Sequence, residues 1–253
     1  MLVTLGSNTT IGAGASQTFQ YACNSLQKVF INCDDDGSDS LSGHVTVQIG
    51  NDVICNDINF RPLALLSLIK GGGKVDAGES YFAIDFGSHI LDPLENVYVT
   101  IRNSAGTSLT ALDVGAIVNE GGVYEPYKYT NYEDKVFTDT NTLSIYAWNA
   151  SGLQNDTTAF TIRNQSYSST PQVQTGVNVA QSMDQSGSVM SRQISALGQN
   201  QVPLDTSINY TSTAITGVLC ISAMPKQPTK AQSSRSQGEA ILASMTPAER
   251  KAL

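Results

Sequence analysis

Charged residues are scarce in this chain of 253 residues, since Asp, Glu, Lys and Arg together make up only 14% of it. Long helices with one face in water usually carry more Glu and Lys than this composition allows. No apolar run approaches the roughly 20 residues that a membrane-spanning helix requires, and residues 1–10 lack the charged and long apolar regions of a secretory signal. The composition therefore predicts a soluble, unexported protein that is not built from long helices.

Metal-binding and catalytic residue types are also few. The chain has four cysteines and two histidines, and no pair of cysteines has the Cys-x-x-Cys spacing typical of zinc sites. Buried free thiols are the simpler interpretation. His44 and His89 have neither a nucleophile nor a paired carboxylate close in sequence, and there is no Gly-x-Ser-x-Gly motif. The sequence therefore predicts that the protein is not an enzyme and requires no cofactor.

The net charge of −8 argues against nucleic acid as a partner, because nucleic-acid binding begins with a basic surface that neutralises phosphates. The charge is unevenly distributed along the chain. Residues 226–253 contain five cations and two anions, so this segment carries +3 and the rest of the chain −11. The segment is rich in Pro, Lys, Gln and Ser, and the capping pattern Thr246-Pro247 with Glu249 predicts a short C-terminal helix after a linker.

Ser, Thr, Asn, Gln and 21 glycines take the place of the missing charges, which favours strands joined by turns. Alternating or β-branched segments bounded by turn residues predict strands in the first half at 17–33, 44–49, 80–86, 95–106 and 108–118. Pro62 in a first helical turn and Gly71 at a C-cap position predict a short helix at 62–70. Residues 1–120 are therefore interpreted as a first β-domain.

A second β-domain is predicted at 136–225, where the same alternation returns after a connector at 121–135. Residues 181–203 are polar and are predicted to form a long loop. One internal echo aligns 96–106 with 142–152, since alternating apolar residues in both run into Asn, two small residues and Gly. This pattern is typical of a strand that enters a tight turn. It fits either a duplicated domain or turn chemistry shared by unrelated strands.

One acidic turn is a candidate metal site. Asn32, Asp34, Asp36 and Asp39 place side-chain oxygens at short intervals around a glycine, and Ca²⁺ prefers roughly six to eight oxygen ligands. An EF-hand loop that began at Asn32 would end with Glu at its twelfth residue, where this chain has Gly43. Two interpretations stay open, a solvated hairpin turn and a site for Ca²⁺ or another cation.

Four tyrosines crowd the predicted connector, at Tyr124, Tyr127, Tyr129 and Tyr132. Their spacing mixes two and three residues, so it defines no single face of a strand or helix. Tyrosine supplies apolar area with one polar tip, which suits a segment packed into an interface. The alternative is a platform for a ligand such as carbohydrate or a single nucleic-acid strand.

The first half combines a turn-rich approach to a strand, two alternating strand segments, a short helix and the start of a further strand, at residues 10–19, 29–31, 44–48, 62–70 and 76–82. In order and size this layout resembles the double jelly-roll major capsid proteins of membrane-containing icosahedral bacteriophages, the corticoviruses among them. The resemblance covers mainly residues 1–118.

This resemblance implies an all-β fold of two jelly rolls side by side, with a short helix in the first. It further implies a structural capsid subunit that is made in the host cytoplasm, assembles as homotrimers with neighbouring capsomers, and forms an icosahedral virion shell over an internal membrane. The +3 segment at 226–253 is expected to meet the anionic headgroups of that membrane or minor capsid proteins.

Three alternatives belong to other functional classes. The first is a receptor-binding spike or penton protein, and the second is a carbohydrate-binding β-sandwich module that uses the tyrosines or the long loop. The third is a glycoside hydrolase, which would need a carboxylate pair such as Asp85 and Asp92 across a cleft.

Overall fold

The computed structural model describes residues 1–22, 25–34, 40–70, 72–75, 79–91, 95–118, 125–153, 160–164, 173–174, 180–183, 189–195, 204–210 and 216–224. Within these residues the chain forms seventeen strands, one α-helix and a 3-10 turn at Ser40–Ser42. No helix in this part of the chain is long and apolar enough to cross a membrane. The expected all-β fold is confirmed.

The first half contains nine strands and the helix. They are β1 (Leu2–Ile11), β2 (Ser16–Ala22), β3 (Ser25–Asp34), β4 (Gly43–Ile49), β5 (Asp52–Asn59), α1 (Phe60–Ile69), β6 (Lys74–Val75), β7 (Glu79–Ile90), β8 (Asn96–Asn103) and β9 (Leu109–Ile117). The strands pair in two sheets, β1-β9-β3-β7 with β6 on the outer edge of β7, and β2-β8-β4-β5. Two facing four-stranded sheets connected in this order form a jelly roll.

Alternation of buried and exposed side chains along the strands explains why the two sheets of the first jelly roll pack face to face. In β8, Val97, Val99 and Ile101 are fully buried while the residues between them are partly exposed. The neighbouring strand β4 follows the same pattern, and Val47 lies opposite Val99. Successive side chains of a strand point to opposite faces, so the apolar set of each strand fills the space between the two sheets.

The second half contains eight strands. They are β10 (Glu125–Tyr132), β11 (Val136–Leu153), β12 (Phe160–Asn164), β13 (Val173–Gln174), β14 (Ala180–Met183), β15 (Val189–Ser195), β16 (Leu204–Tyr210) and β17 (Gly217–Ala223). The start of β11, up to Thr142, pairs with β16, and the remainder pairs with β17 and β15. The two sheets are therefore β10-β17-β11-β15-β14 and β11-β16-β12-β13.

This order repeats that of the first half. The strand β10 takes the place of β1, the two parts of β11 take the places of β2 and β3, and β12, β13, β15, β16 and β17 take the places of β4, β5, β7, β8 and β9. Each half is a jelly roll. The internal repeat is therefore visible in the strand order of the described residues.

Several sequence predictions differ from this structure. The predicted loop at 181–203 contains β15 and most of β14, and the predicted connector at 121–135 contains β10. The echo of 96–106 in 142–152 does not match equivalent strands, because it aligns β8 with the second part of β11, whereas the counterpart of β8 is β16. Residues 149–152 continue β11 and do not form the expected turn. The predicted C-terminal helix within 226–253 lies outside the described residues.

The predicted helix at 62–70 is α1, which starts two residues earlier, at Phe60. Asn59 caps it, because its Oδ1 accepts a hydrogen bond of 2.8 Å from the backbone N–H of Arg61. At the other end, the N–H of Gly72 donates to the carbonyl of Ser67 at 2.8 Å. Leu63, Leu65 and other side chains on several sides of the helix are buried, so α1 is covered by more than one neighbour.

A single buried asparagine joins two loops at one end of the first jelly roll. The Nδ2 of Asn103 donates to the carbonyl oxygens of Ile11 at 3.0 Å, Gly12 at 3.2 Å and Thr107 at 2.8 Å. Its Oδ1 accepts from the N–H of Ala105 at 2.9 Å. The side chain therefore ties the turn between β1 and β2 to the turn between β8 and β9.

Replacement of Asn103 by Ala should lower the free energy of unfolding by about 3 kcal/mol, because it leaves several buried backbone groups without their partner. Chemical denaturation followed by tryptophan fluorescence measures the loss. The control is Asn51→Ala in an exposed turn, which should stay within about 0.5 kcal/mol of the wild type. Equal effects of the two substitutions would contradict this role of Asn103.

Candidate assembly interface

The two jelly rolls meet along β10. One edge of β10 pairs with β17 of its own jelly roll. The other edge reaches the first jelly roll, where Tyr129 lies opposite Cys55 of β5 in parallel orientation, and Glu125 and Pro126 pair with Ser88 and Gly87 of β7. The strand that connects the two halves is thus also part of their contact.

Side chains of β10 extend this contact. The ring of Tyr129 packs edge-on against Phe86, with 5.3 Å between ring centroids, and its hydroxyl donates to the carbonyl oxygen of Asp85 at 2.5 Å. Burial raises the pKa of Tyr129 well above its ordinary value. Tyr132 instead stacks on Phe137 inside the second jelly roll, with centroids 4.1 Å apart. Tyr127 and Tyr129 therefore lie in an interface, but it is an interface between the two jelly rolls of one chain. Tyr124 is outside the described residues.

The outward face of the β10-β17-β11-β15 sheet is apolar and covered. Tyr146, Trp148, Leu219 and Ile221 point away from the Tyr132–Phe137 stack and belong to the same buried cluster as the core of the first jelly roll. Helix α1 lies against β11, β14 and β15 of this sheet. At the described side chains of β10, β11 and β17, this sheet is therefore covered by its own partner sheet on one face and by the first jelly roll on the other.

The backbones of β7 and β10 approach each other closely at position 87, which requires a glycine there. Gly87 has a φ of +74°, and a β-carbon there would overlap the carbonyl oxygen of Glu125 and crowd the ring of Tyr127. The N–H of Gly87 also donates to Oδ1 of Asp85 at 3.0 Å, which holds the backbone in this conformation. Both the left-handed backbone and the lack of a side chain are needed at this point.

His89 is a structural part of the same contact. It is buried, and its Nε2–H donates to the carbonyl oxygen of Tyr127 at 3.1 Å. Burial lowers the pKa of His89, because a charged imidazole would lose its hydration there, while the bond to Tyr127 partly opposes the change. The neutral ring is therefore the form that the folded chain favours.

A buried carboxylate holds the place where β11 passes from one sheet to the other. Asp139 Oδ2 accepts hydrogen bonds from Thr142 Oγ1 at 2.6 Å and Ser222 Oγ at 2.5 Å, and Oδ1 accepts from the hydroxyl of Tyr132 at 3.0 Å. The pairing register shifts between Asp139 and Thr142, and Asn141 there has a φ of +53°. Sequence reasoning missed this residue, whose only signal is an Asp inside an otherwise strand-like segment.

His44 and Asp85, which were considered for catalysis, have structural contacts. His44 is half-buried near the Arg102–Asp57 ion pair, and burial lowers its pKa. Asp85 pairs with Lys28, with 3.3 Å between Nζ and Oδ2. Asp92, its proposed partner in glycoside hydrolysis, is outside the described residues. Cys33, Cys55 and Cys220 are buried free thiols, as the sequence predicts for these three.

The candidate cation site is only partly described. Asn32 and Asp34 lie at the end of β3, where the pairing with β9 shifts register between them, whereas Asp36 and Asp39 are outside the described residues. The described residues contain no group of three His, Cys, Asp or Glu that could hold a metal ion. The Oδ1 of Asn32 is buried without a hydrogen-bond partner in the described part of the chain. The site stays a prediction.

Comparison with solved structures finds one protein of similar fold. Over 88% of this chain and 95% of the other, the structure matches the crystal structure of the STIV MCP, a viral major capsid protein, with a TM-score of 0.54 and 9% sequence identity. The match shows that this chain shares the fold of that protein. At this level of identity the similarity concerns the fold and does not by itself transfer a function.

A second solved structure is less similar. PNGase F, a glycosylasparaginase from Flavobacterium meningosepticum, matches over 90% of this chain and 96% of its own, with 9% identity and a TM-score of 0.39, a value too low to establish a common fold. No protein-family model and no curated protein matches the sequence. The expected resemblance to capsid jelly rolls is therefore confirmed for the fold, and its narrower corticovirus form stays a prediction.

Gly87→Ala should destabilise the chain by about 1 to 2 kcal/mol through its left-handed backbone and by about 1 to 3 kcal/mol more through displacement of Glu125. Gly14→Ala is the matched control, because Gly14 has a φ of +70° but no atom lies within 4 Å of the position that a β-carbon would take there. Urea denaturation of both variants separates the two costs. Equal losses would show that the backbones do not approach each other at Gly87.

When the pH is lowered from about 7.5 to about 5, the free energy of unfolding should fall more in the wild type than in the His89→Gln variant. The pKa of His89 in the folded chain lies below its ordinary value of 6.5. As the pH falls, the unfolded chain therefore binds the proton first, and the folded state loses stability below about pH 6.5. Glutamine takes up no proton, whereas carboxylates act alike in both chains. Urea denaturation at several pH values tests this, and equal pH dependence would contradict it.

Proposed function

We propose that this chain is a structural subunit of a viral capsid, located in the virion, and that it acts by self-association without catalysis or a required cofactor. The observation that carries the proposal is the repeated jelly-roll order, which matches a viral major capsid protein over nearly the whole length of both chains. A β-rich body with few charges suits a protein whose surfaces become contacts between copies.

The described polar residues support a structural role. His89, Asp85 and Tyr129 form hydrogen bonds with backbone groups at the contact of the two jelly rolls, and Asp139 is enclosed by three hydroxyl donors. Hydrogen bonds of this kind hold the contact of the two jelly rolls and the passage of β11 between sheets in one geometry, which is the role that we propose for these residues.

The proposal has a finer form. The subunit assembles as a homotrimer, and trimers and neighbouring capsomers build an icosahedral shell over an internal membrane of a bacteriophage. In this form the +3 segment at 226–253 contacts anionic lipid headgroups or minor capsid proteins. Support for this form comes from the resemblance of the sequence layout and from the charge difference between that segment and the −11 remainder of the chain.

Light scattering coupled to size-exclusion chromatography, followed by electron microscopy of negatively stained protein, tests the proposed self-association. We expect a species of about three times the monomer mass, and ring-like or shell-like particles, because capsid subunits associate through extensive symmetric contacts. A chain that stays monomeric at every concentration and binds glycans or host cells would contradict the proposal and favour a receptor-binding spike or a carbohydrate-binding module.

A further inference from the structure

Strand β2 is an unprotected edge of the β2-β8-β4-β5 sheet. Among the described strands it pairs with β8 alone, over its full length from Ser16 to Ala22 and without a register shift. It contains no proline, and because the first charged side chain of the sequence is Lys28, it is uncharged in a chain with 14 basic and 22 acidic residues. Phe19 is buried, and every other residue of β2 is exposed or half-buried. One row of backbone N–H and C=O groups is therefore open to another strand.

The other described sheet edges carry a protection that β2 lacks. Three register shifts and a left-handed Asn8, with a φ of +50°, interrupt β1. The outer strands β6 and β13 have two residues each and β14 has four, and β10 covers β5. The start of β11, which is the counterpart of β2 in the second jelly roll, contains the buried carboxylate of Asp139 and a left-handed Asn141. Bulges, short strands and inward charges of this kind protect sheet edges from other strands, so a regular uncharged edge is expected where another chain covers it.

The residue order of β2 is self-complementary. Phe19 is the central residue of the strand, so two copies in antiparallel orientation overlap over its full length when they are centred there. Thr18 of one copy then lies opposite Gln20 of the other, and both side chains are exposed in the single chain. The buried Phe19 of one copy lies opposite the same residue of the other, next to the two cores. Any other register leaves part of the strand unpaired or places outward side chains opposite inward ones.

The charges next to β2 also suit a second copy. Each copy has a net charge of −8, so two copies repel each other wherever acidic surfaces meet. On the neighbouring strand β8, Thr100 shares a hydrogen bond of 2.8 Å with Thr18. Arg102 of β8 is paired with Asp57 through two hydrogen bonds, of 2.9 Å and 2.7 Å. Two copies can therefore approach along β2 without bringing unpaired like charges of these strands together.

From these observations we infer that β2 pairs with β2 of a second copy of this chain, in antiparallel orientation about a twofold axis at Phe19. The β5-β4-β8-β2 sheets of the two copies then form one continuous sheet, with about six to eight additional backbone hydrogen bonds. A twofold contact closes on itself and does not extend into a filament. One strand pair buries less area than a stable dimer needs, so the contact joins oligomers in which several copies act together. The inference rests on the proposed self-association and adds a second contact to it.

Paired charge substitutions test this register. Thr18→Lys with Gln20→Lys places like charges of the two copies opposite each other, and Thr18→Glu with Gln20→Glu does the same with the other sign. We expect each variant alone to raise the dissociation constant for association between oligomers at least about tenfold. An equimolar mixture of the two variants should return it to within about threefold of the wild type, because opposite charges then face each other. The matched control is Thr138→Lys with Thr140→Lys, two exposed threonines at the same spacing on β11, which should change it less than about threefold.

Sedimentation velocity of the full-length proteins at several concentrations measures this association, and thermal unfolding checks that each variant is folded. Loss of the larger species in each charge variant, with recovery in the mixture, supports the inference. An association that survives in both variants, weakens equally in the control or does not return in the mixture overturns it and leaves the proposed self-association standing. A wild type that forms one oligomer and no larger species has the same consequence. A wild type that is monomeric at every concentration overturns both proposals.

A disulfide cross-link keeps the inference testable if the charge variants do not fold. Thr18→Cys and Gln20→Cys are made as separate full-length chains, both with Cys23→Ser so that this neighbouring thiol takes no part. Opposite positions of an antiparallel pair place β-carbons about 4.5 to 5.5 Å apart, close to the distance that a disulfide spans. After mild oxidation, we expect covalent dimers in the mixture of the two chains and far fewer with either chain alone, as measured by non-reducing electrophoresis. Equal yields in the mixture and in the separate chains, or no dimers at all, overturn the inference.

Discussion

The arrangement of the described residues depends on one sheet whose strands β10, β11 and β17 are covered on both faces. The outward side chains of β10, β11 and β17 cannot meet water without exposing a large apolar area, and the first jelly roll covers them with α1, β5 and β7. Removing this area from water is the dominant favourable contribution to such a contact. Gly87 and Tyr129 then set how closely the two backbones approach. The two jelly rolls are therefore joined by one continuous core.

Apolar contacts do not fix the conformation of the loops or the passage of β11 between sheets, and buried hydrogen bonds do. Asn103 fixes two loops at one end of the first jelly roll, and Asp139 fixes the passage of β11 from one sheet to the other. Each uses several hydrogen-bonding positions of its side chain, and a buried polar group without partners would be costly. The chain has few charged residues, so these hydrogen-bonded polar groups select one conformation of the loops and of β11, which non-directional apolar burial does not do.

Sequence patterns found the elements whose side chains alternate clearly and missed the others. The buried set of β8 and the capped helix α1 were predictable, because their periodicity and caps depend on residues close in sequence. The strands β1 and β5 were not predicted, since β1 is a bulged, mostly exposed edge and β5 mixes polar and apolar residues irregularly. Tyr127 and Tyr129 of β10 lie at a contact between the two jelly rolls of one chain, whereas the prediction concerned a contact between subunits, and their partners on β7 could not be named from the sequence. Asp139 was missed because its three hydrogen-bond donors come from three separate segments.

Residue types and their local order were enough to predict the class of this protein: strands joined by turns, the short helix α1, and buried thiols at the three described cysteines. Only the tertiary structure shows which strands pair. The internal repeat is found in the strand order, whereas the similar sequences at 96–106 and 142–152 belong to strands that are not equivalent. The physical reason is that backbone hydrogen bonds are the same for every pair of strands. Pairing is therefore selected by the burial that the complete set of contacts achieves, and residues far apart in sequence contribute most of it.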